Sequence, residues 1–180
     1  MCYFSLFEQQ IIMLFRIIKL SLLPSSSLKM TNSSKTFSQL LFLSISMKFV
    51  NEPLKWKESF EKLLSSQNGL CLFRAFLVSE FSEENIAFYL ACEDYRTTKP
   101  SKLAAKAKKI YDEFIGSDTP REVNLDHVTK AITKENVEQP TQSCFDLAQA
   151  KIYTLMEKDC YPRFLKSSMY LELTRKTKRG

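Results

Sequence analysis

The amino-acid sequence predicts an all-α fold on three observations. From Leu54 onward the apolar side chains recur at helical spacings, and no stretch shows the polar–apolar alternation of a strand. The chain contains only three Gly and six Pro, which are too few for a turn-rich β-sandwich. A hydrophobic fraction of 44% with 12% aromatic residues is typical of a folded globule. We therefore expect about eight or nine helices joined by short loops.

The first two helices of this body are predicted on either side of a break at Asn68 and Gly69. The ranges 54–64 and 70–81 each place their apolar residues on one helical face. Asparagine and glycine between them favour a turn. The predicted apolar faces contain Leu54, Trp56, Phe60, Leu63 and Leu64 in the first helix, and Leu70, Phe73, Phe76 and Leu77 in the second.

The next two helices carry signals at their ends. Ser82 is a favourable N-cap, and the acids that follow it lie in the first turn, where the helix dipole favours negative charge. These residues predict a helix over 82–95, with an inner stripe that includes Ile86. Pro100 near a first turn and Gly116 just after the last apolar residue delimit the following helix.

Three residues organise the last helical segments. Asp126 is placed to cap a short helix, and Thr141 is placed to cap a long one. Pro162 is expected to interrupt the final helices, because proline lacks a backbone N–H. The inner face predicted for the long helix consists of Phe145, Ala148, Ile152, Leu155 and Met156.

The N-terminal range 5–23 predicts an amphipathic helix. Glu8, Arg16 and Lys19 interrupt its apolar residues, so it falls short of the roughly 20 apolar residues that span a bilayer. It also lacks the basic start and small-residue cleavage site of a signal peptide. We expect this helix to lie in a membrane interface, with Cys2 as a candidate lipidation site.

Two other interpretations of the N-terminal segment stay open. It is either an anchor helix packed against the body or a segment outside the working protein, since Met30 and Met47 could each start a shorter chain. The range 24–53 is predicted to be a linker, because its first part is rich in Ser, Thr, Asn and Lys.

The distribution of charge argues against a nucleic-acid-binding protein. The formal net charge is +6. Residues 1–53 hold five basic and two acidic residues, and 173–180 hold four basic ones. The remaining 17 basic and 18 acidic residues lie in 54–172, which is therefore nearly neutral. The positive ends favour an anionic membrane surface as a partner, and no basic groove is expected on the body.

The sequence offers no self-contained catalytic or metal site. It contains one His and five scattered Cys without a Cys-x-x-Cys pair, which indicates free thiols in a reducing compartment. No glycine-rich phosphate loop or hydrolase motif is present. Paired acids and the lysine-rich run 102–109 are explained by solvated helix faces. We expect no cofactor and no metal.

Polar residues at predicted helix junctions are the remaining candidates for function. Asn85, Asn124 and Asp159 lie there, close to acids at 80, 84 and 126. Binding residues concentrate in loops held by a rigid scaffold. From spacing alone a role as helix cap is favoured for each of these side chains, and binding stays open as the alternative at this point.

Four stretches together resemble the RGS domain, the domain of the regulators of G-protein signalling. The resemblance covers about 54–174, with the motifs in the family's order and separations. It points to the small subfamily with a short N-terminal extension, in which amphipathic helices and acylated cysteines occur. The stretches are FLVSEFSEENIAFYLACEDY (76–95), PREVNLD (120–126), CFDLAQAKIYTLMEKDCYPRFLKSSMYLEL (144–173) and the helix around Trp56.

The resemblance implies a nine-helix domain that accelerates GTP hydrolysis by the α subunit (Gα) of heterotrimeric G proteins. Such a protein is an activator of a partner's GTPase and not itself an enzyme, because Gα carries its own arginine and water-orienting glutamine. Its loops hold the switch segments of Gα in their transition-state arrangement, so the chain is expected to prefer Gα in that state.

Carried over residue by residue, the resemblance implies three Gα-binding patches. Asn85 is expected to reach a switch backbone group or threonine, and Asn124 to lie beside the catalytic glutamine of Gα. Asp159 is expected to receive a switch amide while pairing with Arg163, four residues later. The patches are Glu80, Ser82, Glu84 and Asn85; then Asn124 and Asp126; then Leu155, Asp159, Cys160, Arg163 and Lys166.

Some residues depart from the family pattern. Ala87 stands where an acid is usual, Tyr89 where tryptophan is usual and Cys160 where serine is usual. Ser82, Asp159 and Lys166 retain the residue types associated with broad acceptance of Gα of the Gi class, with the Gq class as a further candidate. These departures leave a second hypothesis open, a scaffold of the RGS type that binds a protein without useful GTPase activation.

The domain organisation expected from sequence and resemblance has three parts. The range 1–53 is an N-terminal extension, 54–174 an RGS domain and 175–180 a basic tail. The extension does not match the usual leader of the subfamily. We expect a monomer in the cytoplasm, held peripherally at the inner face of the plasma membrane.

Overall fold

The computed structural model describes residues 52–177, in which all regular structure is helical and no strand occurs. The all-α prediction is confirmed. Cys2, the range 5–23, nearly all of 24–53 and the last three residues lie outside the described range. Its α-helices are α1 (Glu52–Trp56), α2 (Phe60–Ser65), α3 (Gln67–Ser79), α4 (Glu83–Arg96), α5 (Leu103–Phe114), α6 (His127–Glu138), α7 (Asp146–Leu155), α8 (Tyr161–Lys166) and α9 (Ser168–Thr177).

The described range also contains a 3₁₀ turn, which is tighter than an α-helix, and a π-helical turn, which is wider. A 3₁₀ turn at Pro100–Lys102 leads into α5, as expected from a proline at the start of that helix. A π-helical turn at Met156–Cys160 joins α7 to α8. Between residues 52 and 177, no helix combines the length and the apolar character that crossing a bilayer requires.

The described residues divide between two compact units, one with 52–71 and 172–177 and one with 72–171. In the first unit, the helix predicted over 54–64 is split into α1 and α2. Ser59 causes the split, since its backbone is extended and its side chain accepts a hydrogen bond from the Lys62 backbone N–H at 3.1 Å. It is therefore the N-cap of α2.

The break predicted at Asn68 and Gly69 lies instead at Ser66. The Ser66 hydroxyl accepts a hydrogen bond from the Gly69 N–H at 2.9 Å, which begins α3, and donates to Glu52 Oε1 at 2.7 Å. Glycine is required inside α3 for space, since a Cβ atom at Gly69 would lie 2.5 Å from the Leu63 carbonyl oxygen. The glycine permits a close approach and does not end a helix.

Aromatic rings form the core of the second unit, and Phe73 and Phe145 among them lie on predicted inner faces. The ring centroids of Phe73 and Phe164 are 5.5 Å apart in an edge-on contact. Phe88 on α4 lies 5.6 Å from Phe114 and 6.3 Å from Phe145. Each such pair contributes about 0.5–1.5 kcal/mol beyond its buried area. The rings hold α3 against α8, and α4 against α5 and α7, so the loops at the ends of these helices have defined positions.

The long helix predicted to start at Thr141 begins at Asp146. Thr141 opens the preceding turn instead, because its carbonyl oxygen accepts hydrogen bonds from the Cys144 N–H at 3.1 Å and the Tyr95 hydroxyl at 2.9 Å. A carbonyl engaged in this way holds the residue in a turn. The N-cap position of α7 is occupied by Phe145 without a capping side chain.

The regular α-helix is interrupted immediately before Pro162, as predicted, but the chain stays helical. The Tyr161 N–H bonds to the Met156 carbonyl, five residues back, so the chain widens into a π-helical turn immediately before the proline. A proline ring clashes with the carbonyl four residues earlier in a regular α-helix. The wider turn removes this conflict, and the helix continues through Lys166.

Candidate binding surface

The loop between α3 and α4 holds the first expected patch. The Phe81 N–H bonds to the Val78 carbonyl at 3.2 Å and the Ser82 N–H bonds to the Leu77 carbonyl at 3.0 Å. This pair is a Schellman motif, in which glycine usually takes the left-handed position. Here Phe81 takes it with φ 54°, at a cost of about 1–2 kcal/mol relative to right-handed backbone, and is 96% exposed.

Phe81 is not among the residues predicted for this surface. The sequence does contain an indication of its role, because Phe81 is an apolar residue between Glu80 and Ser82, at a helix junction where glycine would be expected. The motif directs the ring into solvent next to the expected binding residues. Phe81 therefore adds an apolar element to a polar loop.

The N-terminus of α4 contains two buried oxygen atoms that no described residue satisfies. Ser82 stands at the predicted N-cap, but its hydroxyl makes no capping bond and has no hydrogen-bond partner. Asn85 is 5% exposed and donates to the Ser82 carbonyl at 3.3 Å and to Glu84 Oε1 at 3.0 Å. Its Oδ1 accepts no bond from the described part of the chain. Such a buried acceptor is destabilising unless a donor from another molecule reaches it.

The loop between α5 and α6 presents Asn124 from a fixed backbone. Val123 is fully buried, Leu125 is 7% exposed, and the Val123 N–H bonds to the Phe114 carbonyl at 2.9 Å. Asn124, between them, is exposed. Burial alternates as in an extended segment, where successive side chains point to opposite sides. The two apolar residues thus anchor the loop and leave the amide of Asn124 in solvent.

Asp126, in the same patch, is a helix cap as predicted. Its Oδ1 accepts the Thr129 backbone N–H at 2.9 Å, and its Oδ2 accepts the Thr129 hydroxyl at 2.7 Å. The backbone bond from Thr129 is the main reason that the pKa of Asp126 lies below its usual range. Lys151 on α7 lies 3.7 Å from the same carboxylate. Both carboxylate oxygens are therefore already engaged within the chain.

The third patch is built on the π-helical turn and α8. Asp159 and Arg163 form an ion pair, which confirms the pairing predicted from their spacing. Arg163 also reaches Glu80, with its Nε 3.3 Å from Glu80 Oε2. One guanidinium thus links the first and third patches, and it holds the Asp159 carboxylate at the exposed surface.

The other members of the third patch have different surroundings. Cys160 is 3% exposed, its sulfur lies 3.9 Å from Asp159 Oδ2, and burial raises the pKa of its thiol. Leu155 is half-buried and Lys166 is exposed at the end of α8. The thiol is a weak hydrogen-bond donor and is held in its neutral, unreactive form.

A second arginine, absent from the sequence prediction, links the first and second patches. Arg121 lies 3.2 Å from Glu83 at the start of α4 and 3.2 Å from Glu113 near the end of α5. The spacing of neighbouring residues does not predict these contacts, because Arg121 is distant from Glu83 and Glu113 along the chain. The three patches are thereby joined in the second unit, Glu80 to Arg163 on one side and Glu83 to Arg121 on the other.

The chemistry of this surface is that of binding. It presents carboxylates, amides and an exposed phenyl ring, and among residues 52–177 no cluster of His, Cys, Asp and Glu is arranged to hold a metal ion.

Two of the residues that depart from the family pattern lie on α4. Ala87 is half-buried, and Tyr89 is half-buried with its ring centroid 6.0 Å from that of Tyr153. Partial exposure leaves these positions at the edge of the core.

Comparisons with known proteins show which family the described surface belongs to. The family model of the regulator of G protein signaling domain matches residues 59–173, which include all three patches. Regulator of G-protein signaling 5 from Sus scrofa is 56% identical over 124 residues, covering 68% of this chain and 68% of that protein. Regulator of G-protein signaling 16 from Rattus norvegicus is 50% identical over 144 residues, covering 79% and 72%. Regulator of G-protein signaling 8 from Homo sapiens is 50% identical over 129 residues, covering 71% and 72%.

Proposed function

Because the chain belongs to the family of regulators of G-protein signalling, we propose that it accelerates GTP hydrolysis by Gα subunits, first of the Gi class and then of the Gq class. The observation that carries this proposal is the joining of polar loops into one surface that holds a buried acceptor without a partner among the described residues. Such a surface suits the bracing of another protein's loops.

The proposed mechanism is differential binding. Gα supplies the arginine and the glutamine that act on the phosphate and the water. Contacts that are stronger with the switch segments in the transition state than in the GTP state lower the barrier. A thousandfold acceleration corresponds to about 4 kcal/mol of this preference. Damping of receptor signalling follows from the shorter lifetime of GTP-bound Gα.

The side chains of the surface have different roles in this proposed binding. The free Oδ1 of Asn85 accepts a hydrogen bond from a switch backbone N–H or threonine hydroxyl. Asp159, oriented by Arg163, accepts a switch amide. Asn124 projects beside the water-orienting glutamine from a loop that is anchored before binding. Little conformational entropy is then lost when the complex forms.

Single-turnover hydrolysis by Gα preloaded with GTP tests the proposal. We expect the wild-type protein to accelerate hydrolysis, and Asn124→Ala and Asp159→Ala to lose at least about tenfold of that effect, since each removes a charge-assisted or amide contact. Unchanged hydrolysis by every Gα tested would contradict the proposal.

Matched controls separate these effects from loss of folding. Gln142→Ala removes an exposed amide in the turn before α7. Asp112→Ala removes an exposed carboxylate that pairs with Lys108 at 2.7 Å, at the same i, i+4 spacing as the pair in the third patch but with the charges in the reverse order. Both controls are expected to retain the wild-type acceleration and helical circular dichroism.

A scaffold without useful GTPase activation is the second candidate. It is favoured by Cys160, whose buried thiol offers a partner a poorer hydrogen bond than a serine hydroxyl would. Binding to Gα loaded with GDP and aluminium fluoride discriminates between the two. A strong preference over Gα loaded with GDP alone supports GTPase activation, and equal binding supports a scaffold.

The membrane role proposed for residues 1–23 and Cys2 concerns a segment outside the described range. Deleting 1–23 is expected to release the protein from vesicles containing anionic lipid, while leaving its activity in solution unchanged. The matched control is the same comparison on neutral vesicles. Equal binding of both forms to anionic vesicles would end this proposal.

A further inference from the structure

Arg121 lies where three elements of the second unit meet. Its guanidinium contacts Glu83 and Glu113, each at 3.2 Å, and its carbon Cζ lies 5.5 Å from the centroid of the Phe114 ring. The side chain is 28% exposed. One residue therefore contacts the start of α4, the end of α5 and the aromatic core beneath them.

The backbone around Arg121 ties the same elements together. The Arg121 N–H bonds to the Glu113 carbonyl at 3.2 Å, and the Val123 N–H bonds to the Phe114 carbonyl at 2.9 Å. Phe114 in turn packs on Phe88 of α4. The loop stem is thus attached to α5 by backbone bonds, and the Arg121 side chain attaches it to the charged first turn of α4.

We propose that Arg121 is a positioning residue that holds Asn124 in fixed relation to Asn85. Asn124 follows Arg121 by three residues, and Asn85 follows Glu83 by two. The planar guanidinium can bind two carboxylates at once, which an ammonium group does less well. Arg121 acts through these neighbours and needs no contact with Gα. This inference rests on the proposed function for its consequence in hydrolysis, but not for its effect on the loop.

The effect on the loop is measured first, by amide hydrogen exchange of the full chain without a partner. Arg121→Met keeps an unbranched apolar stem and removes the guanidinium. We expect faster exchange at Val123 and its neighbours, with helical circular dichroism retained. Unchanged exchange there would overturn the proposal, whatever the activity of the protein.

The effect on binding is measured by single-turnover hydrolysis at increasing concentrations of the protein. For Arg121→Met we expect the half-saturating concentration to rise about fivefold, as for loss of a partly exposed ion-pair network. The rate at saturation should stay within about twofold, because the bound loop regains its position. A fall in the saturated rate at unchanged half-saturation would also overturn the proposal, since it would place Arg121 in the transition-state contacts.

Three further variants sharpen the assignment: Arg121→Lys, Glu83→Gln and the double variant that combines Glu83→Gln with Arg121→Met. Arg121→Lys is expected to restore part of the lost affinity, and Glu83→Gln combined with Arg121→Met should be no worse than Arg121→Met alone. Additive losses in the double variant would refute the coupling to Glu83.

Arg96→Met is the matched control. Arg96 also joins two acids, Glu93 and Asp146, at 3.3 and 2.9 Å, but lies about 20 Å from Glu83 along α4. It should change neither the exchange of the loop nor the half-saturating concentration. If wild-type protein activates no Gα, the proposed function fails, while the exchange result still decides whether Arg121 orders the loop.

Discussion

Helices α4 and α6 begin with the same local pattern but reach different outcomes. Each has a short polar residue at the N-cap and another three positions later, Ser82 with Asn85 and Asp126 with Thr129. At α6 both oxygens of Asp126 accept bonds from Thr129. At α4 the Ser82 hydroxyl and Asn85 Oδ1 are buried without a partner in the described chain. One helix start is closed by its own capping bonds, and the other holds an acceptor that no described residue satisfies, which is the acceptor proposed to bind Gα.

The largest effect that tests this comparison is expected at α4. Asn85→Ala should reduce GTPase activation at least about tenfold, because the partner's buried donor loses its acceptor. Its thermal midpoint should change little, since the substitution also removes an unsatisfied oxygen. Single-turnover hydrolysis and thermal denaturation measure the two effects. A variant that unfolds readily but activates normally would reverse the assignment of the two helix starts.

A smaller effect is expected at α6, where a substitution should lower thermal stability and leave GTPase activation nearly unchanged. Thr129→Val removes a buried hydroxyl that donates to Asp126 and preserves the shape of the side chain. We expect the thermal midpoint to fall by about 3 °C, while GTPase activation stays within about twofold. Thr154→Val on α7, whose exposed hydroxyl donates to the Ala150 carbonyl at 2.9 Å, is the control for loss of a hydroxyl alone. A large loss of activation with an unchanged midpoint would show that α6 also serves binding.

The smallest effect concerns pH. The pKa of Asp126 is lowered in the folded state, so the unfolded chain binds the proton more readily. The contribution of Asp126 to stability is therefore present above the ordinary aspartate pKa of about 4 and is lost as the pH falls through the lowered value. Urea unfolding should give a higher free energy of unfolding for the wild type than for Asp126→Asn. This difference should shrink as the pH falls through the interval.

The matched control for this pH dependence is at the start of α4. Ser82→Ala changes no titratable group, so its difference in unfolding free energy from the wild type should stay nearly constant over the same interval. An advantage of wild type over Asp126→Asn that grows as the pH falls would contradict the assignment of Asp126 as a charged cap.

The predictions that held were local ones. Asp126 as a cap, Pro100 before α5 and the pairing of Asp159 with Arg163 all depend on residues three or four positions apart. Most residues of the predicted inner faces are buried, because the helical period determines which side chains can be buried together, whereas Leu54, Leu64, Leu70 and Leu155 are half-buried. The roles of the binding residues remain predictions, carried by the resemblance and supported by the exposure of Asn124 and Asp159.

Two errors were local, since Ser59 splits the helix predicted over 54–64 by a bond to Lys62, and Ser82 makes no capping bond. The other errors arose where distant residues decide a local conformation. The break at Ser66 depends on a bond to Glu52, and the use of Gly69 depends on its distance from Leu63. The late start of α7 depends on the Tyr95 hydroxyl, which reaches Thr141 across 46 residues. The spacing of neighbouring residues contains no information about these contacts.

The sequence by itself determined that this protein is an all-α regulator of G-protein signalling with a nearly neutral body. Helical periodicity predicts the fold, and the resemblance of short motifs gives the family, because both depend on residues that are close together along the chain. Only the tertiary structure decided that Arg121 joins Glu83 to Glu113, that Phe81 occupies a left-handed turn in solvent, and that Asn85 keeps a free acceptor. The physical reason is that each of these features depends on which side chains are brought together, or left without a partner, when the helices pack.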